Sequence, residues 1–227
     1  MNRALIVVAK RPANGQTKTR LTPPLSPDQA VALYTCMLLD TLDMMTQVGD
    51  VRHILAYAPD DAEPYFRAIA PLQFHFHPQI GQTLGERLHH ILSHCLANGC
   101  RQAVVMDSDS PTLPAALLRA AFEQLDDSAV DVVLGPCDDG GYYLIGLKQP
   151  FASLFDVIMS TPHVLADTVA AAERVGLRVA LLPVWYDVDT AQEVRRLRAE
   201  LAANPAAHAP RTRGWLEGFR QDERDRG

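Results

Sequence analysis

Short runs rich in Val, Ile and Leu recur along the chain: "ALIVVA" (4–9), "HILAYA" (53–58), "AVVM" (103–106), "DVVLGP" (131–136), "YYLIGL" (142–147) and "RVALLP" (178–183). Such runs, apolar on both faces, predict strands buried on both sides. Most are separated by segments whose apolar residues return at helical spacing. "SPDQAVALYTCMLLDTLDMMTQV" (26–48) opens with Ser26 as N-cap, Pro27 at the first helical position and Gln29 completing a capping box. "TLGERLHHILSHCLANG" (83–99) repeats that grammar with Thr83 and Glu86, and Gly99 ends the helix. Further helices are expected near 114–125, 163–175 and 190–203. Strand alternating with helix predicts an α/β fold, a mostly parallel sheet with helices on both faces, whose ligands bind outside the carboxyl ends of the strands.

Four polar motifs follow apolar runs and therefore point at that edge. In "VVMDSDSPTL" (104–113) a buried strand ends in Asp107 and Asp109, just before Ser110 and Pro111. Asp and Ser cap turns readily, yet two hard carboxylates on one short loop also suit Mg²⁺ or Mn²⁺. After the first strand, "KRPANGQTKTRLTPPLSP" (10–27) carries Lys10, Arg11, Lys18 and Arg20 with Gly15 between them. Lys as a point charge and Arg as a bidentate fork fit phosphate oxygens. The Walker pattern fails, because Thr17 rather than Gly precedes Lys18 and the segment runs into Pro23 and Pro24; a solvated basic loop is the alternative.

"GPCDDGGYYLIGL" (135–147) places Asp138 and Asp139 before Gly140 and Gly141. This is either a close approach of backbone amides to a hydroxyl-rich substrate or a plain hairpin turn. "WYDVDTAQEV" (185–194) puts Asp187 and Asp189 before another helix, where helix capping, with Thr190 as a further candidate, is the ordinary reading. Paired with Asp109, it suggests carboxylates from two strands closing on one cation. His90, His94 and Cys95 lack an HExxH frame, and Ser108 and Ser110 lack a GxSxG elbow, so zinc-protease and serine-hydrolase chemistry are disfavoured.

With 227 residues, 48% of them hydrophobic, the chain is long enough for a single domain over 1–204, followed by a charged C-terminal appendage over 205–227 in which Trp215 and Phe219 are spaced to dock a last helical turn. A net charge of −6 offers no basic footprint for nucleic acid. Cys36, Cys95, Cys100 and Cys137 form no CxxC pair, and no apolar run is long enough for a signal peptide or a membrane span. A cytoplasmic protein with reduced thiols is expected.

Taken together, "AKRPANGQTKTRL", "LGERL", "DSDSPTL", "GPCDDGGYYLIGL" and "DVDT" resemble a bacterial glycosyltransferase-like family, labelled a domain of unknown function and related to 2-phospho-L-lactate guanylyltransferase. The resemblance covers roughly residues 3 to 200. It implies the GT-A fold of the nucleotide-diphospho-sugar transferases, a three-layer α/β/α sandwich around a Rossmann-like sheet. It implies a D-x-P aspartate, Asp109, that binds Mg²⁺ or Mn²⁺, with Asp189 as a second ligand and Asp107 beside them at a position where the family usually shows Gly. It also implies that Lys18 and Arg20 of the K-T-R-L element, with Arg11, Gly15 and Arg87, hold the donor phosphates, Lys18, Arg20 and Asp109 being the catalytic set. Asp139, Gly140, Gly141, Tyr142 and Thr161 would face the acceptor, and Met159 stands where the family tends to carry Trp. The expected partners are a nucleotide or nucleotide-sugar donor and a small-molecule acceptor, with a homodimer left open. Glycosyl transfer is the expected reaction; nucleotidyl transfer to a phosphorylated small molecule and non-catalytic binding of a nucleotide sugar are the alternatives.

Overall fold

The structure, a computed structural model, describes residues 2–225. Its centre is a seven-stranded sheet in the order β3-β2-β1-β4-β6-β5-β7. The strands are β1 (Arg3–Lys10), β2 (Arg52–Ala58), β3 (His75–Pro78), β4 (Gln102–Met106), β5 (Val132–Pro136), β6 (Tyr142–Leu147) and β7 (Val179–Leu181). All pairings are parallel except those of β6, which runs against β4 and β5.

Alternation within the strands divides the core between two faces. Leu5, Val7 and Val104 point to one side, where α1 (Pro27–Met45), α2 (Glu63–Ile69) and α4 (Ala115–Asp126) pack with Leu42, Phe66 and Phe122. Ile6, Val105 and Ile145 point to the other and meet Leu88 and Leu92 of α3 (Leu84–Ala97) and Ala172 of α5 (Val164–Arg174). A third cluster joins Leu33 and Met37 of α1 to Leu197 and Leu201 of α6 (Ala191–Ala203) and Leu216 of α7 (Pro210–Asp225). The result is the α/β/α sandwich that the pattern predicts.

Local chemistry sets the helix starts. Ser26 and Gln29 form the reciprocal capping box, as do Thr83 and Glu86. A third box, Thr190 with Glu193, opens α6, so the cap there is Thr190 rather than Asp187 or Asp189. Gly99, at φ 89, follows α3 as expected, with the Cys100 N–H donating back to the Cys95 carbonyl. The edge strand β3 and the short α2 lie outside the predicted set, and α7 is longer than the last helical turn expected around Trp215 and Phe219. The stretch expected to trail as a charged appendage is helical over Pro210–Asp225 and packs on α1, with Trp215 and Phe219 stacked at 5.2 Å. Asp40 of α1, fully buried, accepts from the Arg211 and Thr212 N–H groups at its start.

Strand order reverses at β1, whose neighbours are β2 on one side and β4 on the other. The loops leaving β1 and β4 therefore part in opposite directions and leave a crevice at their carboxyl ends, the usual ligand position in open α/β sheets. Because β6 is antiparallel, the turn 137–141 between β5 and β6 reaches the same rim.

Candidate active site

At the end of β4 the alternation of "DSDS" sorts the four side chains. Ser108 and Ser110 turn inward, only 4% and 1% exposed. The Ser108 hydroxyl meets the Tyr34 hydroxyl at 2.9 Å, and Ser110 Oγ donates to the Tyr186 carbonyl at 3.0 Å. Asp107 and Asp109 are thereby left facing the crevice. The Asp109 N–H donates to Asp107 Oδ1, and the Val188 N–H donates to the Asp109 carbonyl at 3.0 Å. That last bond stitches the loop after β4 to the "DVDT" segment and brings Asp109 and Asp189 side by side.

Between them sits Lys18. Its backbone is left-handed, φ 49 and ψ 45, a conformation uncommon outside glycine and one that turns the side chain back into the crevice. Lys18 Nζ lies 3.0 Å from Asp109 Oδ2 and 2.6 Å from Asp189 Oδ1, with its side chain only 5% exposed. Arg20 reaches the other oxygen of Asp189 at 3.3 Å. Burial works against the charged ammonium, but Asp109 and Asp189 outweigh it and raise the Lys18 pKa. Burial likewise opposes the Asp189 carboxylate, yet Lys18 and Arg20 hold it below the usual range. Among the described residues, Asp107 and Asp187 have no such cation in contact. Burial, then the neighbouring Asp109, pushes Asp107 well up, and burial, then Asp189 and Asp139, pushes Asp187 to about 6.

Two adjoining cavities, of about 510 and 600 Å³, share Asp107, Asp109, Asp189 and Arg20 in their walls. The larger is lined by Lys18, Gln82 and Arg87, whose guanidinium is fixed by donation from Nε to the Gly81 carbonyl at 2.9 Å. The smaller is lined by Asp139, Gly141, Tyr142, Thr161 and Asp187. Ser160, at φ 62, borders both. Strained backbone of this kind collects at binding sites.

Gly140 has a structural task there: at φ 90, a Cβ would fall 2.0 Å from the Pro162 carbonyl oxygen. It lets the 137–141 turn press against the segment that carries Thr161. Tyr142 donates its hydroxyl to Met159 Sδ at 3.7 Å, so Met159 contributes to this wall.

Not every expected residue joins the centre. Arg11 pairs with Asp61 at 3.2 Å and lines an outer recess, which shares Gln16, Thr17, Gln79 and Arg87 with the larger cavity. Gly15 lies on the exposed loop, and a Cβ there would meet nothing within 4 Å. Asp138 turns away to an ion pair with Arg196. Conversely, Asp187, Cys137, Tyr34 and Gln79 stand in or behind the cavities without having been singled out as site residues. Asp187 alone carried a signal, the D-x-D spacing; Tyr34, on α1, and Gln79 arrive only through tertiary packing.

This fold, with its polar crevice at the sheet's switch point, is that of the nucleotide-diphospho-sugar transferases. A candidate nucleotide-diphospho-sugar transferase from Desulfovibrio desulfuricans G20 superposes with a TM-score of 0.86 at 30% identity, over 96% of this chain and 94% of its own. Residues 41–161 match the family described as "Uncharacterized protein conserved in bacteria (DUF2064)", and the chain belongs to that family. No curated protein matches the sequence. More distant likeness in fold extends to CMP:2-keto-3-deoxy-manno-octonic acid synthetase complexed with CTP, with a TM-score of 0.59 at 12% identity over 89% of this chain and 99% of the other. A Mycobacterium tuberculosis H37Rv protein in complex with manganese gives a TM-score of 0.51 at 19% identity, over 87% and 98%. Among the described residues no helix is long and apolar enough to cross a membrane.

Proposed function

We propose that this protein is a nucleotide-dependent transferase that moves a glycosyl group from a nucleotide-sugar donor to a small-molecule acceptor, with Mg²⁺ or Mn²⁺ as cofactor. The observation that carries this reading is the meeting of two cavities at one wall of carboxylates. The cationic side, with Lys18, Arg20 and Arg87, suits the donor diphosphate. The side of Asp139, Gly141, Tyr142 and Thr161, with polar groups at the mouth and apolar residues such as Leu144 and Val164 behind, suits the acceptor.

Asp109 and Asp189 fit a hard divalent cation by chemistry and by access, each with about a third of its side chain open, 30% and 35%. When bound, the cation would neutralise charge on the donor phosphates. Lys18 and Arg20 would leave their carboxylates in part to stabilise the departing nucleoside diphosphate as the acceptor oxygen attacks the anomeric carbon. The likeness in fold to the CTP-complexed synthetase favours one second reading, nucleotidyl transfer with release of pyrophosphate.

The test is product analysis with nucleotide sugars, then with nucleoside triphosphates and phosphorylated small molecules, each with Mn²⁺. Nucleoside diphosphate release supports glycosyl transfer; pyrophosphate supports the second reading. Asp109→Asn, folded by circular dichroism, should lose turnover and metal-dependent donor binding. Donor binding with no product under any pairing would make the protein a nucleotide-sugar binder instead.

A further inference from the structure

Lys18 and Arg20 are held by Asp109 and Asp189, and Arg196 is held by Asp138. Among the described residues this leaves Asp139 and Asp187 with no ion-pair partner. Cys137 stands beside them, 7% exposed, and its thiol makes no hydrogen bond among the described residues. One ligating atom from each of Cys137, Asp139 and Asp187 lies within 4.8 Å of the other two.

Backbone pairing holds the three together. Cys137 bridges Trp185 in parallel, the Trp185 N–H donates to the Pro136 carbonyl at 2.9 Å, and the Asp138 N–H returns to the Trp185 carbonyl at 3.1 Å. This short ladder fixes 137–139 against 185–187. The Gly141 N–H donates to Asp139 Oδ1 at 2.8 Å, which sets that carboxylate's orientation; among the described residues its other oxygen has no donor.

We propose that Cys137, Asp139 and Asp187 form a site for a borderline divalent cation of the Zn²⁺ or Co²⁺ kind, separate from the Asp109–Asp189 pair. The sulfur sets the preference, since thiolate favours zinc-like ions over Mg²⁺, while carboxylates accept both. A tetrahedral ion with bonds of about 2.3 Å to sulfur and 2.0–2.2 Å to oxygen spaces its ligands roughly 3.5 Å apart, so side-chain adjustments of about 1 Å close the set. Binding converts the thiol to thiolate and gives its proton to solvent. Three protein ligands leave a fourth position, which opens on the smaller cavity and takes an oxygen of the acceptor. That use of the site rests on the proposed transferase reading; binding of the ion does not.

The experiment is titration of Co²⁺ into the reduced full-length protein without nucleotide. The near-ultraviolet absorption of a cobalt thiolate should rise and saturate at one equivalent. Cys137→Ser should lose this band, and Asp187→Asn should weaken Co²⁺ at least tenfold, both variants keeping the wild-type circular dichroism spectrum. Asp109→Asn should keep the band. No band in the wild-type protein, or a band that survives Cys137→Ser and so belongs to another cysteine, overturns the proposal. A band together with absent transferase turnover would sink the functional reading and leave the site standing.

Discussion

The left-handed turn at Lys18 places an ammonium between two carboxylates, so its charge is neutralised inside the protein. Lys18→Met should weaken a nucleotide-sugar donor at least tenfold, the loss of one charge-assisted contact of about 1.5–3 kcal/mol, while leaving the free nucleoside unaffected. The same change removes the cation that competes for Asp109 and Asp189, so Mn²⁺ alone should bind more tightly. Calorimetric titration of both ligands measures this; weaker Mn²⁺ binding would count against the shared role of the two aspartates. A second ion pair bears on pH. Arg178 donates to Asp131 at 2.9 and 3.1 Å at the β5–β7 edge, and these bonds hold the Asp131 carboxyl at about 2. A folded-state value below the ordinary 3.8 means the stabilisation is present above about pH 4 and is lost as pH falls through 2. The gap in denaturation free energy between wild type and Arg178→Gln should therefore be greatest near neutrality and close toward pH 2, a modest effect because the pair is open to solvent.

At the scale of elements, two short segments far apart in sequence make one surface. Ser110 Oγ on the Tyr186 carbonyl and the Val188 N–H on the Asp109 carbonyl tie the end of β4 to the entrance of α6. Ser110→Ala leaves the Tyr186 carbonyl without that donor and should cost about 1–3 kcal/mol in chemical denaturation. It should also lower the turnover rate, because Asp109 loses its register with Asp189. Thr190→Ala removes the cap of α6 at a cost of about 1 kcal/mol and serves as the control, with stability reduced and turnover near wild type. Equal turnover losses in both would mean general loosening rather than register. Two of the capping boxes, the apolar strand runs and the helical 3.6 period were legible in the chain because they depend on neighbours a few residues away. β3 was not, since "HFHP" is a four-residue edge strand without the run of Val, Ile and Leu that marks the other strands. Nor was α2, seven residues long and lacking a side-chain cap.

Across the whole molecule, α7 completes the third hydrophobic cluster and supplies the donors for a carboxylate buried in α1. Asp40→Ala should lower stability by about 1–3 kcal/mol, as the Arg211 and Thr212 N–H groups lose their acceptor. Donor affinity should not change, because no described side chain of α7 lines either central cavity. A fall in both, measured by thermal melting and calorimetry, would show that the C-terminal helix reaches the site.

The sequence by itself determined the fold class, the strands' buried character, two of the helix starts, and the placement of "DSDS", "DDGG" and "DVDT" at one edge. Each follows from local periodicity or from the rule that strand ends in such sheets share a rim. Only the tertiary structure decided which groups meet there. Lys18 reaches across from another loop to neutralise Asp109 and Asp189, Arg11 is drawn off to Asp61, and a bridge between Cys137 and Trp185 sets Cys137 beside Asp187. Charge pairing over such sequence separations depends on distance in space, which strand order and loop geometry set and which no local pattern of residues encodes.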